Sequence, residues 1–182
     1  LKNGALSKVL KKLEGKKVVL FNTSILQNSS DIIELKNKDF NKKYDAIIAI
    51  GVGNQIDIAK LIYAKSAFKD WKAIIKKNEL ENCNVNTSFI VISTLPGSGA
   101  ESSKAAVLNS SVSKLIFTSD IFMPDYVFYD LDSILNVSNH SLLIRLVDAI
   151  SHGFESKNSI LSNKFSEPYS DYVVKNGPAL IN

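Results

Sequence analysis

The sequence predicts an α/β fold with a parallel sheet, followed by a helical segment, and three observations carry that expectation. Ala46-Ile47-Ile48-Ala49-Ile50 is an unbroken apolar run that leads directly into Gly51-Val52-Gly53 and then a helical pattern. A strand without polar alternation is one covered on both faces, as in a parallel sheet flanked by helices. A second such run, Phe89-Ile90-Val91-Ile92, leads into a second glycine-rich turn, Thr94-Leu95-Pro96-Gly97-Ser98-Gly99-Ala100-Glu101. From Ser141 the pattern becomes helical, with apolar residues over most of the circumference. Such a helix is expected to be largely buried.

The first glycine turn is the centre of the reading. Gly51 and Gly53 let the backbone turn sharply and let a ligand approach it closely. Asn54 is a favourable N-cap, and Asp57, three residues on, can return to the cap or favour the positive helix end. A helix N-terminus aimed at the end of a buried strand suits a phosphate group. Ile56 occupies the third glycine position of a dinucleotide fingerprint, and an ordinary strand-to-helix turn with Asp57 as a cap would use the same residues. Two strand-to-glycine units in one sheet favour a ligand cleft at their carboxyl ends.

Composition narrows the function classes. With 182 residues, 45% hydrophobic and 22% charged, the chain suits a globular domain or one domain and part of another. The net charge of +4 comes from scattered lysines, so no nucleic acid partner is expected. Cys83 is the single cysteine, which excludes an internal disulfide and fits a reducing cytoplasm. No apolar run approaches the roughly 18 residues of a membrane span, and no membrane association is expected. The chain begins at Leu1 and ends within an apolar stretch at Asn182, and it is expected to be part of a longer protein.

Along the chain, residues 4–13 form a short amphipathic helix closed by Gly15, and residues 16–23 read as a first strand. Residues 29–35 suit a short helix capped by Ser30 or Asp31. After the first glycine turn a helix is expected to about Ala67, with Ile56, Ala59, Ile62, Tyr63 and Ala67 facing inward. Residues 70–77 form a further helical patch, and residues 87–92 the third strand. Residues 104–108 and 114–118 read as a hairpin about Asn109-Ser110-Ser111, and residues 126–130 as a last strand.

Asp148 and His152, four apart on the late helix, project from one face, which is how a helix supplies an anionic and a neutral metal ligand. A buried Asp–His hydrogen bond would explain the same pair. His140, ahead of this helix, reads as a loop or cap residue.

Three motifs in order resemble the iron-containing alcohol dehydrogenase family, within the group that includes dehydroquinate synthase and glycerol dehydrogenases. Ile50-Gly51-Val52-Gly53-Asn54-Gln55-Ile56-Asp57-Ile58-Ala59-Lys60 is similar to GGGSxxDxAK, with Val52 and Asn54 in place of a glycine and a serine. Residues 94–101 resemble TTxGTGSE, with Leu95 and Ala100 as departures, and residues 147–156 resemble the metal helix MDAxxHxxEx. The resemblance covers most of residues 8–160.

That resemblance implies a Rossmann-like dinucleotide-binding domain over residues 1–136 and the beginning of a helical metal-binding domain over residues 137–182. Gly51, Gly53, Asn54 and Asp57 would embrace the pyrophosphate of NAD or NADP, Thr94 and Ser98 would contact the cofactor further along, and Lys114 the ribose. Asp148 and His152 would be the first two ligands of Fe²⁺ or Zn²⁺, the family's remaining histidine ligands lying downstream. The implied activity is alcohol–aldehyde or alcohol–ketone oxidoreduction on a small molecule, in a cytoplasmic homodimer. Two other classes fit the same residues: a non-redox lyase resembling dehydroquinate synthase, and a nucleotide-binding module without catalysis. Asn22 and Thr23 stand where an acidic residue would select NAD over NADP, which leaves that choice open.

Overall fold

The protein's structure, a computed structural model, describes residues 4–23, 42–67, 86–109, 114–158 and 167–180. Three strands, β1 (Ala46–Gly51), β2 (Ser88–Ser93) and the later β5 (Tyr126–Tyr129), form a parallel sheet in the order β1-β2-β5. Gly51 pairs with Ser93 and Ser93 with Tyr129, so all three strands finish level at one edge. Both glycine turns leave the sheet at that edge. The expected hairpin is present as an antiparallel pair, β3 (Ala105–Asn109) and β4 (Lys114–Thr118).

Between the two sheets runs a helix, α2 (Gly53–Ala67), preceded in the chain by α1 (Ala5–Lys12). The expected inward face is confirmed at Ile56, Ala59, Ile62 and Tyr63, but burial extends round the helix to Ile58, Leu61 and Ala64. One side of α2 packs Ile56, Ala59 and Tyr63 on Ala49, Phe89 and Val91 of the parallel sheet, where Tyr63 stacks on Phe89 with ring centroids 5.0 Å apart. The other side packs Ile58, Leu61, Ile62 and Ala64 on Ala106 and Leu108 of β3 and on Phe122. Complete burial of each larger apolar side chain contributes about 2 kcal/mol, so α2 is the structural centre of the described chain.

After β5 come a one-turn helix α3 (Leu131–Leu135), the long α4 (Asn139–Asn158) and α5 (Glu167–Asn176), which ends in the 3₁₀ turn Gly177–Leu180. Ser138 caps α4 by accepting from the Ser141 N–H at 3.2 Å, which places His140 inside the first turn, exposed. Gly153 and Gly177 let α4, α5 and the following turn approach closely. A Cβ at Gly153 would lie 3.1 Å from Val173, and one at Gly177 would press on Ile150.

Two sequence expectations are corrected. Among the described residues, 17–22 belong to no strand ladder, although Phe21 packs on the second of these core faces and edge-on to Tyr44. An apolar run supplies a strand's side chains, but a strand exists only where a neighbour pairs its backbone. Helix α4 is not largely buried: only Ile150 and Gly153 are, while Leu142, Leu143, Ile144, Val147 and Phe154 are exposed. Its apolar residues encircle the axis, whereas the described neighbours cover one stripe of it. The expected helices at 29–35 and 70–77, and Cys83, lie outside the described residues.

Candidate functional site

At the level edge of the parallel sheet the chain makes two turns that are locked together. In the first, a Cβ on Gly51, whose φ is 157°, would lie 2.7 Å from Gln55 Cβ, so only glycine permits the turn. Helix α2 begins at Gly53, which makes Asn54 its second residue rather than its N-cap. The bond back to the turn comes from Gln55, whose Oε1 accepts from the Val52 N–H at 3.3 Å, and not from Asp57. The first bond within the helix is Ile56 N–H to Val52 C=O at 3.1 Å. The amides of Gly53, Asn54 and Gln55 therefore precede the helical ladder, at the positive end of the helix, with the Asn54 side chain exposed beside them.

The second turn, residues 94–99, is tied to the first. The Thr94 N–H donates to the Gly51 carbonyl at 3.0 Å. Ser98 sits against Gly53 so closely that a Cβ there would overlap Ser98 Oγ and lie 2.9 Å from its Cβ. Glycine at 53 is thus required by the neighbouring turn itself. Gly97 serves the far side: its φ is 149°, and a Cβ would lie 2.9 Å from the Arg145 carbonyl oxygen, so α4 seats its backbone directly on this turn. Gly99, in the left-handed region with φ 68°, directs the chain into the 3₁₀ turn Ala100–Ser102.

Helix α4 brings the second pair of candidates. Asp148 and His152 do share a face: Asp148 Oδ1 is 3.9 Å from His152 Nε2, and its Oδ2 is 3.9 Å from Arg145. Asp148 is partly exposed, so neither neighbour has to neutralise a buried charge. The pair is thus open to a divalent ion, but among the described residues no third His, Cys, Asp or Glu converges on it. Lys114 opens β4 opposite Asn109, exposed to solvent. Thr94 is buried at the end of β2, and Ser98 is half-buried.

Asp57 lies a turn inside α2, buried, with its carboxylate accepting from the Val107 N–H of β3 and 3.9 Å from Lys60 Nζ. Burial raises its carboxyl to about 6, against the opposing pull of Lys60 and the Val107 N–H. Lys60 itself is fully buried and donates to the Ser103 and Ala105 carbonyls at 2.7 and 2.6 Å. Burial lowers its pKa, opposed by the charges of Asp57 and Glu101. Glu101 is buried too, with the Tyr129 hydroxyl 3.5 Å from Oε1, and Ser93 Oγ is buried at the end of β2 without a hydrogen-bond partner. Sequence reasoning did not single out Lys60, Glu101 or Ser93. A lysine amid Ile58, Ala59, Leu61 and Ile62 was the available signal, because a helix with no polar face leaves its lysine nowhere to reach solvent.

An open depression of about 520 Å³ lies elsewhere, lined by Tyr63, Asn86, Thr87, Ser88, Asp125 and Tyr126 at the amino ends of β2 and β5. Parallel sheets bind ligands at the opposite, carboxyl edge, where the two glycine turns meet α4.

Comparison with known proteins agrees with this fold. The family model for iron-containing alcohol dehydrogenase matches residues 1–131. Long-chain-alcohol dehydrogenase 1 of Geobacillus thermodenitrificans is 25% identical over 129 residues, which cover 69% of this chain and 32% of that protein. Among solved structures, an iron-containing alcohol dehydrogenase from Thermotoga maritima superposes with a TM-score of 0.79 at 22% identity, over 99% of this chain and 52% of the other. NADH-dependent butanol dehydrogenase A from the same organism gives 0.73 at 21%, over 98% and 47%. The α/β fold is thus shared with these enzymes, and the chain spans about half the length of the solved relatives.

Two outcomes follow from the site's packing. Gly53→Ala is expected to destabilise the chain by roughly 1–3 kcal/mol in urea denaturation, and Ser98→Gly in the same chain to recover most of that loss, since it removes the overlapping atoms. For Asp57, between pH 3.8, the ordinary carboxyl value, and about 6, the unfolded chain has released its proton while the folded chain retains it. Stability attributable to this group therefore falls as pH rises through that window. Asp57→Asn, measured against the unaltered chain across pH 4 to 7 by denaturant titration, should gain relative stability up to about pH 6 and no further above it.

Proposed function

Because the chain belongs to the iron-containing alcohol dehydrogenase family, we propose that it supplies the dinucleotide-binding half of an NAD(P)- and divalent-metal-dependent oxidoreductase acting on a small alcohol or the matching aldehyde or ketone. The observation that carries this reading is the pair of interlocked glycine turns at the carboxyl edge of the parallel sheet. They are joined by Thr94 N–H to Gly51 C=O and close-packed at Gly53 and Ser98. One structural relative, the NADH-dependent butanol dehydrogenase A of Thermotoga maritima, supports the same chemistry.

In this reading the amides at the start of α2, with Gly51, Gly53 and Asn54, hold the pyrophosphate. Asp57, turned inward against β3, supports that end from beneath. Thr94 and Ser98 line the path of the cofactor beyond the phosphates, and Lys114 reaches the ribose. Asp148 and His152 contribute two donors on the helix that rests against the second turn at Gly97, so metal and nicotinamide would meet there. Held by these residues, NAD(P) would supply the hydride carrier, and a divalent ion on Asp148 and His152 would supply the Lewis acid for the substrate oxygen. The two donors present fit part of such a metal site, which usually needs at least three protein ligands. Assembly as a homodimer belongs to the same proposal.

Calorimetric titration with NADH and NADPH tests the cofactor site. Asn54→Asp leaves an exposed position at a helix N-terminus that tolerates a carboxylate, yet sets a negative charge beside the phosphates. Affinity should fall roughly tenfold or more with unchanged thermal stability, and unchanged affinity would place the site elsewhere. For the metal, titration with Fe²⁺ or Zn²⁺ should show weak binding that Asp148→Ala abolishes. Binding that survives the substitution would remove Asp148 from the ligand set.

A further inference from the structure

Lys60 has no route to a ligand, being fully buried, yet it occupies the middle of the helix whose first turn forms the candidate phosphate site. An ammonium group in such a place is expensive to desolvate, and a leucine or methionine would fill the same volume without that penalty. Its bonds show what the charge achieves. Nζ takes the carbonyls of Ser103 and Ala105, at 2.7 and 2.6 Å. The carbonyl between them, that of Lys104, points the other way and accepts from the Ser119 N–H at 2.8 Å. The peptide that leaves the second glycine turn and enters β3 is thereby held from both sides.

This is the last of three ties between the second turn and the β1–α2 unit. The entrance is fixed by the Thr94 N–H on the Gly51 carbonyl, the apex by Ser98 against Gly53, and the exit by Lys60. All three run to one strand and one helix, so the two turns present a single rigid rim. Asp57, at 3.9 Å from Nζ, is a more distant partner than either carbonyl.

We propose that Lys60 is a positioning residue, which holds the second glycine turn in register with the first so that both face one cofactor. The inference rests on the dinucleotide reading above. It is tested in the chain carrying Lys60→Met, which keeps the apolar stem and removes the donor. NADH affinity should fall by about tenfold, and amide exchange should quicken over residues 97–106 while β1 and β2 keep their protection. The same fold-loss is expected when Lys60→Met is introduced into an Asp57→Asn background, because the carbonyls rather than the carboxylate are the working partners. Lys60→Arg, which keeps a donor, should return most of the affinity, whereas a role in packing alone would be met better by methionine. Affinity and exchange equal to those of the unaltered chain would overturn the proposal, and so would a loss that disappears in the Asp57→Asn background. Should the methionine variant not fold, Lys60→Leu, which also lacks a donor, is read in the same way. An unaltered chain that binds neither NADH nor NADPH would instead sink the dinucleotide reading, and the exchange comparison would still decide whether Lys60 holds the turn.

Discussion

Burial of α2 on two opposite sides is the constraint on which the rest depends. The helix is wedged between the parallel sheet and the β3–β4 ladder, and residues 56–64 are all buried. A helix so enclosed cannot shift along its axis without opening both cores, so its first turn is fixed relative to the strand ends. That rigidity suits an anion site made of backbone amides, since main-chain donors have no side-chain freedom with which to adapt. It also forces each polar residue inside the wedge to find partners within the protein. Asp57 finds the Val107 N–H, and Lys60 the Ser103 and Ala105 carbonyls.

The glycines show how tightly the two turns are joined. A G-x-G sequence after a strand is usually explained by a ligand's approach to the backbone, yet here Gly53 already has a protein neighbour in Ser98. Gly97 likewise answers to Arg145 on α4. Through these two contacts the first turn, the second turn and the helix that carries Asp148 and His152 form one continuous packed path. Membership of the iron-containing alcohol dehydrogenase family gives that path a meaning, because the proposed hydride transfer requires phosphate, nicotinamide and metal to be set relative to one another.

Helix α4 shows where a pattern and a structure part. Leu142, Leu143, Ile144, Val147 and Phe154 are exposed, although an all-round apolar pattern predicts burial. Hydrophobicity reports a preference for leaving water, and it does not say whether a neighbour is present to satisfy that preference. Ile150 and Gly153 are covered because α5 and its following turn supply that neighbour.

The sequence by itself determined the parallel strands, the two glycine turns, the extent of α2, the hairpin and the shared face of Asp148 and His152. Each of these is a local matter: the strand and helix periods fix which side chains lie together, and glycine at a turn follows from sterics within a few residues. Tertiary structure decided what depends on contacts between distant segments. It set Asn54 inside the helix, gave the bond back to the turn to Gln55 instead of Asp57, left residues 17–22 in no ladder among the described residues, exposed one side of α4 and turned Asp57 inward. Lys60 is the clearest case, because its partners stand 43 and 45 residues away along the chain. No local pattern names a carbonyl at that separation, since only the packing of β3 on α2 brings it within reach of the ammonium group.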